Sequence, residues 1–386
     1  MKIRNMIITL AATVGLAACG QKAPADLNPV SGSARTLQTE KLLASLKAMA
    51  NSGRYMYAHQ DDPVYGHGWA WDDDRSDVKS VCGDLPAVMG FDLGHIELGD
   101  EKNLDGVPFD RIRKETIKQY EAGGLVTFSW HLDNPLTNGT AWVENGEKAP
   151  LERQTVSSVL KGGDNHELFL GWLDRLADFM NSLTTADGEK VPVLFRPWHE
   201  HTGSWFWWGQ DLCTAEEYVA LWKLTANRLK EKGVDNLLYA YSPGTENNGD
   251  AAKYMERYPG DDYVDLLGLD CYCWTEPEVT DRYERFMNQI DTQLGMMAKL
   301  AEQHQKVIAL TETGYEGIPL EDWWTSVLQK SIGDHPICYV LTWRNAHDKD
   351  THYFGPWPGQ LSSDDFVKFY QSPKTAFLKD ISHLYQ

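Results

Sequence analysis

One carboxylate, Glu200, lies in the run Arg-Pro-Trp-His-Glu-His-Thr-Gly-Ser-Trp-Phe-Trp-Trp-Gly over residues 196–209, among two histidines, an arginine and a dense group of indoles. A second, Glu312, lies in Leu-Thr-Glu-Thr-Gly over 310–314. An acid set among aromatic faces suits a neutral sugar polymer, whose C–H faces stack on rings. Two carboxylates flanking a glycosidic bond can divide the work, one protonating the departing oxygen and the other attacking the anomeric carbon or activating water. The first must hold a proton near neutral pH, which nearby indoles and a second carboxylate arrange by raising its pKa. The second must stay charged, which a hydroxyl donor and a nearby cation favour.

Other chemistries find less support. His199-Glu-His201 lacks the i, i+4 histidine spacing of a zinc protease, and no GxSxG elbow is present. Asp72-Asp73-Asp74 lacks the spaced ligands and glycine of a calcium loop and reads as a helix start. Neither metal nor cofactor is expected. The net charge of -20 repels phosphate backbones, and no run of Lys and Arg offsets it, so nucleic acid is excluded as a partner. The expected partner is a neutral polysaccharide or oligosaccharide, and the expected state is a monomer.

The N-terminus reads as an address. Lys2 and Arg4 precede an apolar run over 6–16 that is too short to span a bilayer as a mature helix. It ends in Leu16-Ala17-Ala18-Cys19, which resembles a bacterial lipobox and implies cleavage before Cys19 and acylation of its thiol. Residues 1–19 are thus read as a lipoprotein signal, 20–36 as a flexible tether and 37–386 as the catalytic domain. The lipid would be the only membrane contact. No acidic cluster follows Cys19, which favours the periplasmic face of the outer membrane over the cell surface. The other five cysteines cannot pair completely and read as buried free thiols.

The rest of the chain must position the two acids. Strand candidates over 55–59, 86–92, 125–131, 191–198, 237–242, 264–270, 307–312 and 337–343 alternate with helical segments, and several are continuous apolar runs of the kind covered on both faces. Asp164 with Glu167, and Thr214 with Glu217, read as capping boxes opening two helices, the first with Leu168, Trp172, Leu176, Phe179 and Leu183 on one face. The fold class is therefore α/β, a single (β/α)8 TIM barrel with long strand-end loops. A doubly wound sheet lacks support, since no Gly-rich loop follows a strand.

Active sites in such barrels lie at the C-terminal ends of the strands. His131 ends the third candidate, His199 and Glu200 the fourth and Asp270 the sixth, with Tyr272 just beyond; Glu312 ends the seventh, and Trp343 and Arg344 the eighth. The two glutamates would then face each other across the mouth. Trp172 and Trp222 read as core, whereas Trp205, Trp207, Trp208, Trp274 and Trp343 lie in or beside strand-end loops, where about three of the five would touch sugar.

Together, the Trp-His-Glu-His run at Glu200, Leu-Thr-Glu-Thr-Gly-Tyr-Glu at Glu312, Ser-Trp-His at His131, Asp270 to Trp274 and Leu-Thr-Trp-Arg-Asn at Trp343 resemble glycoside hydrolase family 26 over about residues 40–385. Most members are β-mannanases of the retaining barrel clan. The resemblance implies that Glu200 is the acid/base and Glu312 the nucleophile, with their carboxyl groups about 5–5.5 Å apart. It further implies that His131 and His199 line the subsite of the cleaved sugar, with Trp343 as its floor. Tyr272 would bond the nucleophile with Asp270 alongside, Arg344 would reach the next sugar on the non-reducing side, and Trp205 would stack the leaving-group sugar.

The implied activity is a retaining β-1,4-mannanase acting on mannan, glucomannan or galactomannan. The same acids would serve an enzyme for mixed-linkage β-glucan or β-1,3-xylan, with Arg344 and residues 61–71 setting which hydroxyl orientation fits. A non-catalytic glycan-binding lipoprotein is disfavoured because both carboxylates are present. The segments over 132–164 and 348–360 either wall off the groove, giving mannobiose, or pack on the barrel and leave it open.

Overall fold

The structure is a computed structural model and describes residues 35–143, 149–276, 278–381 and 384–386. Cys19 and most of the predicted tether lie outside the described residues. Eight parallel strands run β1 (Tyr55–Gln60), β2 (Val88–Asp92), β3 (Leu125–Ser129), β4 (Val193–Arg196), β5 (Leu237–Tyr241), β6 (Leu266–Tyr272), β7 (Val307–Gly314) and β8 (Ile337–Thr342). Each pairs with the next, and β8 pairs back on β1 with Met56 opposite Tyr339 and His59 opposite Thr342, which closes the barrel. A short strand, Thr375–Ala376, adds to the outer start of β1.

Nearly every strand residue is buried, as helices cover the outside and side chains fill the inside. The inner layer includes Met56, Val88, Leu125, Leu194, Leu238, Ala240, Ala309 and Leu341. The larger apolar layer lies between strands and helices, where Phe286, Ile290, Leu294 and Met297 of helix Arg282–His304 pack as their spacing requires. Four of the five described cysteines are buried and Cys82 is partly so; all five are free thiols.

Two helix starts differ from expectation. The Thr214–Glu217 capping box forms on both sides, at 3.1 and 2.9 Å. By contrast, helix His166–Ser182 begins after Asn165 without a side-chain cap, and Leu168 is exposed while Phe169 and Leu173 turn inward. The Asp72–Asp74 triplet does not open a helix either. Ser76 caps helix Asp77–Cys82, whereas Asp73 and Asp74 pair with Arg111, Lys114 and Lys118 of helix Phe109–Glu121. Those cations neutralise the triplet across the surface, an interaction between segments that local spacing does not encode.

Candidate active site

The site forms where β4, β6 and β7 end. In β6 and β7 the register runs Leu269 opposite Leu310 and then jumps to Asp270 opposite Glu312, so Thr311 is an extra residue in a bulge. A bulge re-aims the side chains beyond it. This one brings Glu312 level with Asp270, and Thr311 Oγ1 donates to Asp270 Oδ1 at 2.7 Å. Carboxylate oxygens of Glu200, Asp270 and Glu312 all lie within 4.8 Å of one another.

Arg196, at the end of β4, holds this acidic group together. Its Nη1 donates to Asp270 Oδ2 at 2.8 Å and its Nη2 to Glu312 Oε1, with the guanidinium only 2% exposed. Glu312 also accepts from the Tyr272 hydroxyl at 2.7 Å. Both donors fix the position of the Glu312 carboxylate, as a nucleophile or base requires. Asp270 accepts additionally from Ser242 at 2.8 Å, and its side chain is fully buried. It faces the arginine and stands alongside the nucleophile, a supporting position behind Glu312.

Glu200 is in the opposite state. Burial, followed by the charges of Glu312 and Asp270, pushes its carboxyl well above the usual range, so it holds a proton at neutral pH. Its backbone is left-handed at φ +53°, as is that of Trp198 at +55°, conformations that cost a non-glycine residue about 1–3 kcal/mol each. Three bonds pin the strained segment: Glu200 N to Ser242 O at 2.8 Å, Tyr218 Oη to Trp198 O at 2.8 Å and Trp208 Nε1 to His199 O at 2.9 Å. The Trp205 indole crosses back over Gly203, where a Cβ would overlap the ring, and donates Nε1–H to Glu200 Oε2 at 2.7 Å. One carboxyl thus carries a proton while its neighbour is held by a cation.

His131 is nearly buried, with Nδ1 bonded to Asp92 Oδ2 at 2.6 Å and Nε2 to His199 Nε2 at 3.0 Å. Burial opposes a charge on His131, but the Asp92 carboxylate outweighs it and raises the pKa. His199 moves the other way, its pKa driven down by burial and then by His131. It therefore accepts at Nε2 from His131. His199 is fully buried, so the structure places it behind His131 and not on the groove surface as expected.

Arg344 reaches the rim, where Nη1 meets Asp105 Oδ1 at 2.8 Å and the Tyr65 hydroxyl at 3.3 Å; Tyr65 donates onward to Asp61 at 2.7 Å. Trp343 is partly exposed beside His131, with ring centroids 6.1 Å apart. Of the five candidate indoles, Trp207 and Trp208 are fully buried and cannot stack a ligand, whereas Trp205 is 40% exposed and Trp274 and Trp343 are partly open. Trp142, not singled out from sequence, is 46% exposed and lies parallel to the His131 ring at 5.1 Å. Arg196, Asp92 and Asp105 were likewise given no role. Asp92 and Arg196 end their strands, the signal that picks out the other mouth residues.

The described parts of the two long segments pack on the rim. The segment after β3 bonds to the Glu200 loop through Val143 N to Trp205 O and Trp207 N to Ala141 O. The segment after β8 is held by Asn345 Oδ1, which accepts from the backbone of Phe354 and Gly355, and Phe354 stands edge-on to Tyr272.

Comparison with known proteins agrees with this geometry. The sequence profile described as Glycosyl hydrolase family 26 matches residues 31–314. A mannan endo-1,4-beta-mannosidase of Bifidobacterium adolescentis is 32% identical over 363 residues, covering 88% of this chain but 34% of that protein, so the chain spans about a third of that relative's length. A protein of the same name from Bacillus subtilis is 28% identical, covering 74% of this chain and 70% of that protein. Among solved structures, a GH26 beta-mannanase from Bacteroides ovatus superposes with a TM-score of 0.86 at 49% identity, covering 91% of this chain and 98% of that one.

Proposed function

The chain belongs to glycosyl hydrolase family 26, and from that membership we propose that it is a retaining mannan endo-1,4-β-mannosidase acting on mannan, glucomannan or galactomannan. Glu200 is the acid/base and Glu312 the nucleophile. The observation that carries this reading is the approach of their carboxylate oxygens to within 4.8 Å. Oxygens that close support direct attack on the anomeric carbon, the retaining arrangement, in which carboxyl groups stand about 5–5.5 Å apart.

In the first step Glu312 attacks the anomeric carbon as Glu200 gives its proton to the leaving oxygen. The glycosyl-enzyme forms and the aglycone departs. Glu200, now charged, takes a proton from water as that water attacks the same carbon, which releases Glu312. His131 and Trp343 hold the reacting sugar, Arg344 the next one on the non-reducing side and Trp205 the leaving sugar.

Proton NMR on the first product from a purified mannan tests the mechanism: the β-anomer accumulates first, and early α-anomer would contradict both roles. Turnover of barley β-glucan in preference to mannan would instead favour the glucanase reading.

Two further outcomes follow from the neighbours of the acids. The Trp205 indole N–H stabilises charged Glu200 and so lowers its pKa. Trp205→Phe removes that donor, Glu200 keeps its proton to higher pH, and the alkaline limb of kcat/KM moves upward. A limb that stays put or moves down sinks the assignment of that limb to Glu200. Asp105 fixes Arg344 without being a reacting group. Asp105→Asn should raise KM for oligosaccharides that reach Arg344 by roughly three- to tenfold with kcat little changed, and an equal loss in kcat would contradict it.

We also propose that the mature chain is anchored through an acylated Cys19 to the periplasmic face of the outer membrane. The lipobox-like Leu16-Ala17-Ala18-Cys19 supports that reading.

A further inference from the structure

The first described residues are fastened to one end of the barrel. Arg35 makes a two-pronged pair with Asp265, Nη1 to Oδ1 and Nη2 to Oδ2, each at 2.7 Å. Asp265 immediately precedes β6, and its Oδ2 also accepts from Tyr239 N of β5 at 2.9 Å. Thr36 N donates to Asp235 O at 3.0 Å, two residues before β5 begins. Helix Leu37–Ala50 then crosses beneath the barrel, and its Leu42, Leu46 and Met49 are buried in one cluster with Met56, Leu238 and Val307 of the inner layer. All of these contacts lie at strand starts, whereas Glu200, Glu312 and Arg344 lie at strand ends.

Planar, two-bond Arg–carboxylate pairing fixes orientation as well as position. Here it is only partly exposed, at 27% and 9% for the two side chains. We propose that this clamp sets the tether's exit at the barrel floor, so that the anchor draws the floor toward the lipid and the catalytic mouth opens away from the membrane. Lys47, Lys299 and Lys306, together with Glu302, surround the start of β7 on the same floor. Glu40, Asp235, Asp261 and Asp262 lie around the clamp itself, so the tether's exit and not surface charge sets which side faces the lipid. The inference rests on the lipid-anchor reading of Cys19. Its functional consequence is that a polysaccharide longer than the groove reaches the site without passing between protein and lipid.

The test holds the mature chain by an N-terminal hexahistidine, in place of the lipid, on nickel-chelating vesicles that contain anionic lipid and spin-labelled headgroups. A fluorophore is attached either on the floor, through Lys299→Cys, or at the mouth, through Lys349→Cys; both positions are exposed. The floor label loses most of its fluorescence on vesicle binding and the mouth label keeps it; equal quenching of the two overturns the proposal. Hydrolysis provides a second readout. Bound and free enzyme cleave long mannan and a short oligosaccharide in the same ratio, and selective loss of the polymer on vesicles also overturns it. Failure to cleave mannan at all would count against the proposed activity while leaving the quenching result decisive. Acylation of Cys19 is read separately, by mass spectrometry of the N-terminal peptide.

Discussion

Glu312→Ala is expected to reduce mannan hydrolysis by roughly four orders of magnitude or more while oligosaccharide binding persists, because the only group placed to form the glycosyl-enzyme is gone. The small side chain leaves a space beside Arg196 and the Tyr272 hydroxyl, both of which held the carboxylate. Azide can enter that space and attack the anomeric carbon of an aryl mannoside with a good leaving group. The product is then an α-mannosyl azide, one displacement having inverted the centre. Recovery of a β-azide, or undiminished hydrolysis, would remove Glu312 from the nucleophile role.

Arg196→Met should be the most damaging change at a position that is not itself a reacting group. Its guanidinium bridges two buried carboxylates, Asp270 and Glu312, and removal leaves both without their cation. Breaking a buried pair of this kind costs about 3–5 kcal/mol. The pH dependence has a definite sign. Burial already pushes Asp270 up to about 7 against the pull of Arg196, and without the arginine it binds its proton more readily in the folded state. A folded state that binds more protons than the unfolded chain gains stability as pH falls. The deficit of the variant, measured by denaturant unfolding, therefore shrinks as the pH falls toward about 7, where Asp270 binds its proton even with the arginine in place. Arg196→Lys should not restore activity, since a single ammonium cannot span two carboxylates as the guanidinium fork does. Wild-type stability at neutral pH in Arg196→Met would refute this account of the cluster.

These two positions differ in how readily the sequence reveals them. Glu312 ends a continuous apolar strand, and strand ends in a (β/α)8 barrel converge on one mouth, so its place followed from pattern alone. The same reasoning applied to Arg196 locates it but gives it no partners, because its contacts with Asp270 and Glu312 span 74 and 116 residues. The indoles make a similar contrast. Trp205, Trp207 and Trp208 sit within four residues of one another, yet only Trp205 is exposed; a turn around Gly203 sends one ring out and packs the others in.

By itself the sequence determined which chemistry is present and where along the chain it falls: two glutamates, their aromatic setting, and eight apolar runs long enough to be strands that alternate with helical segments. Residue type and local period carry that information. Only the tertiary structure decided how the groups face one another. The bulge at Thr311 brings Glu312 level with Asp270, and the left-handed backbone at Glu200 turns its carboxyl toward them. Register across a strand pair and burial among distant segments set the charge of each acid, and both depend on neighbours that the local sequence does not contain.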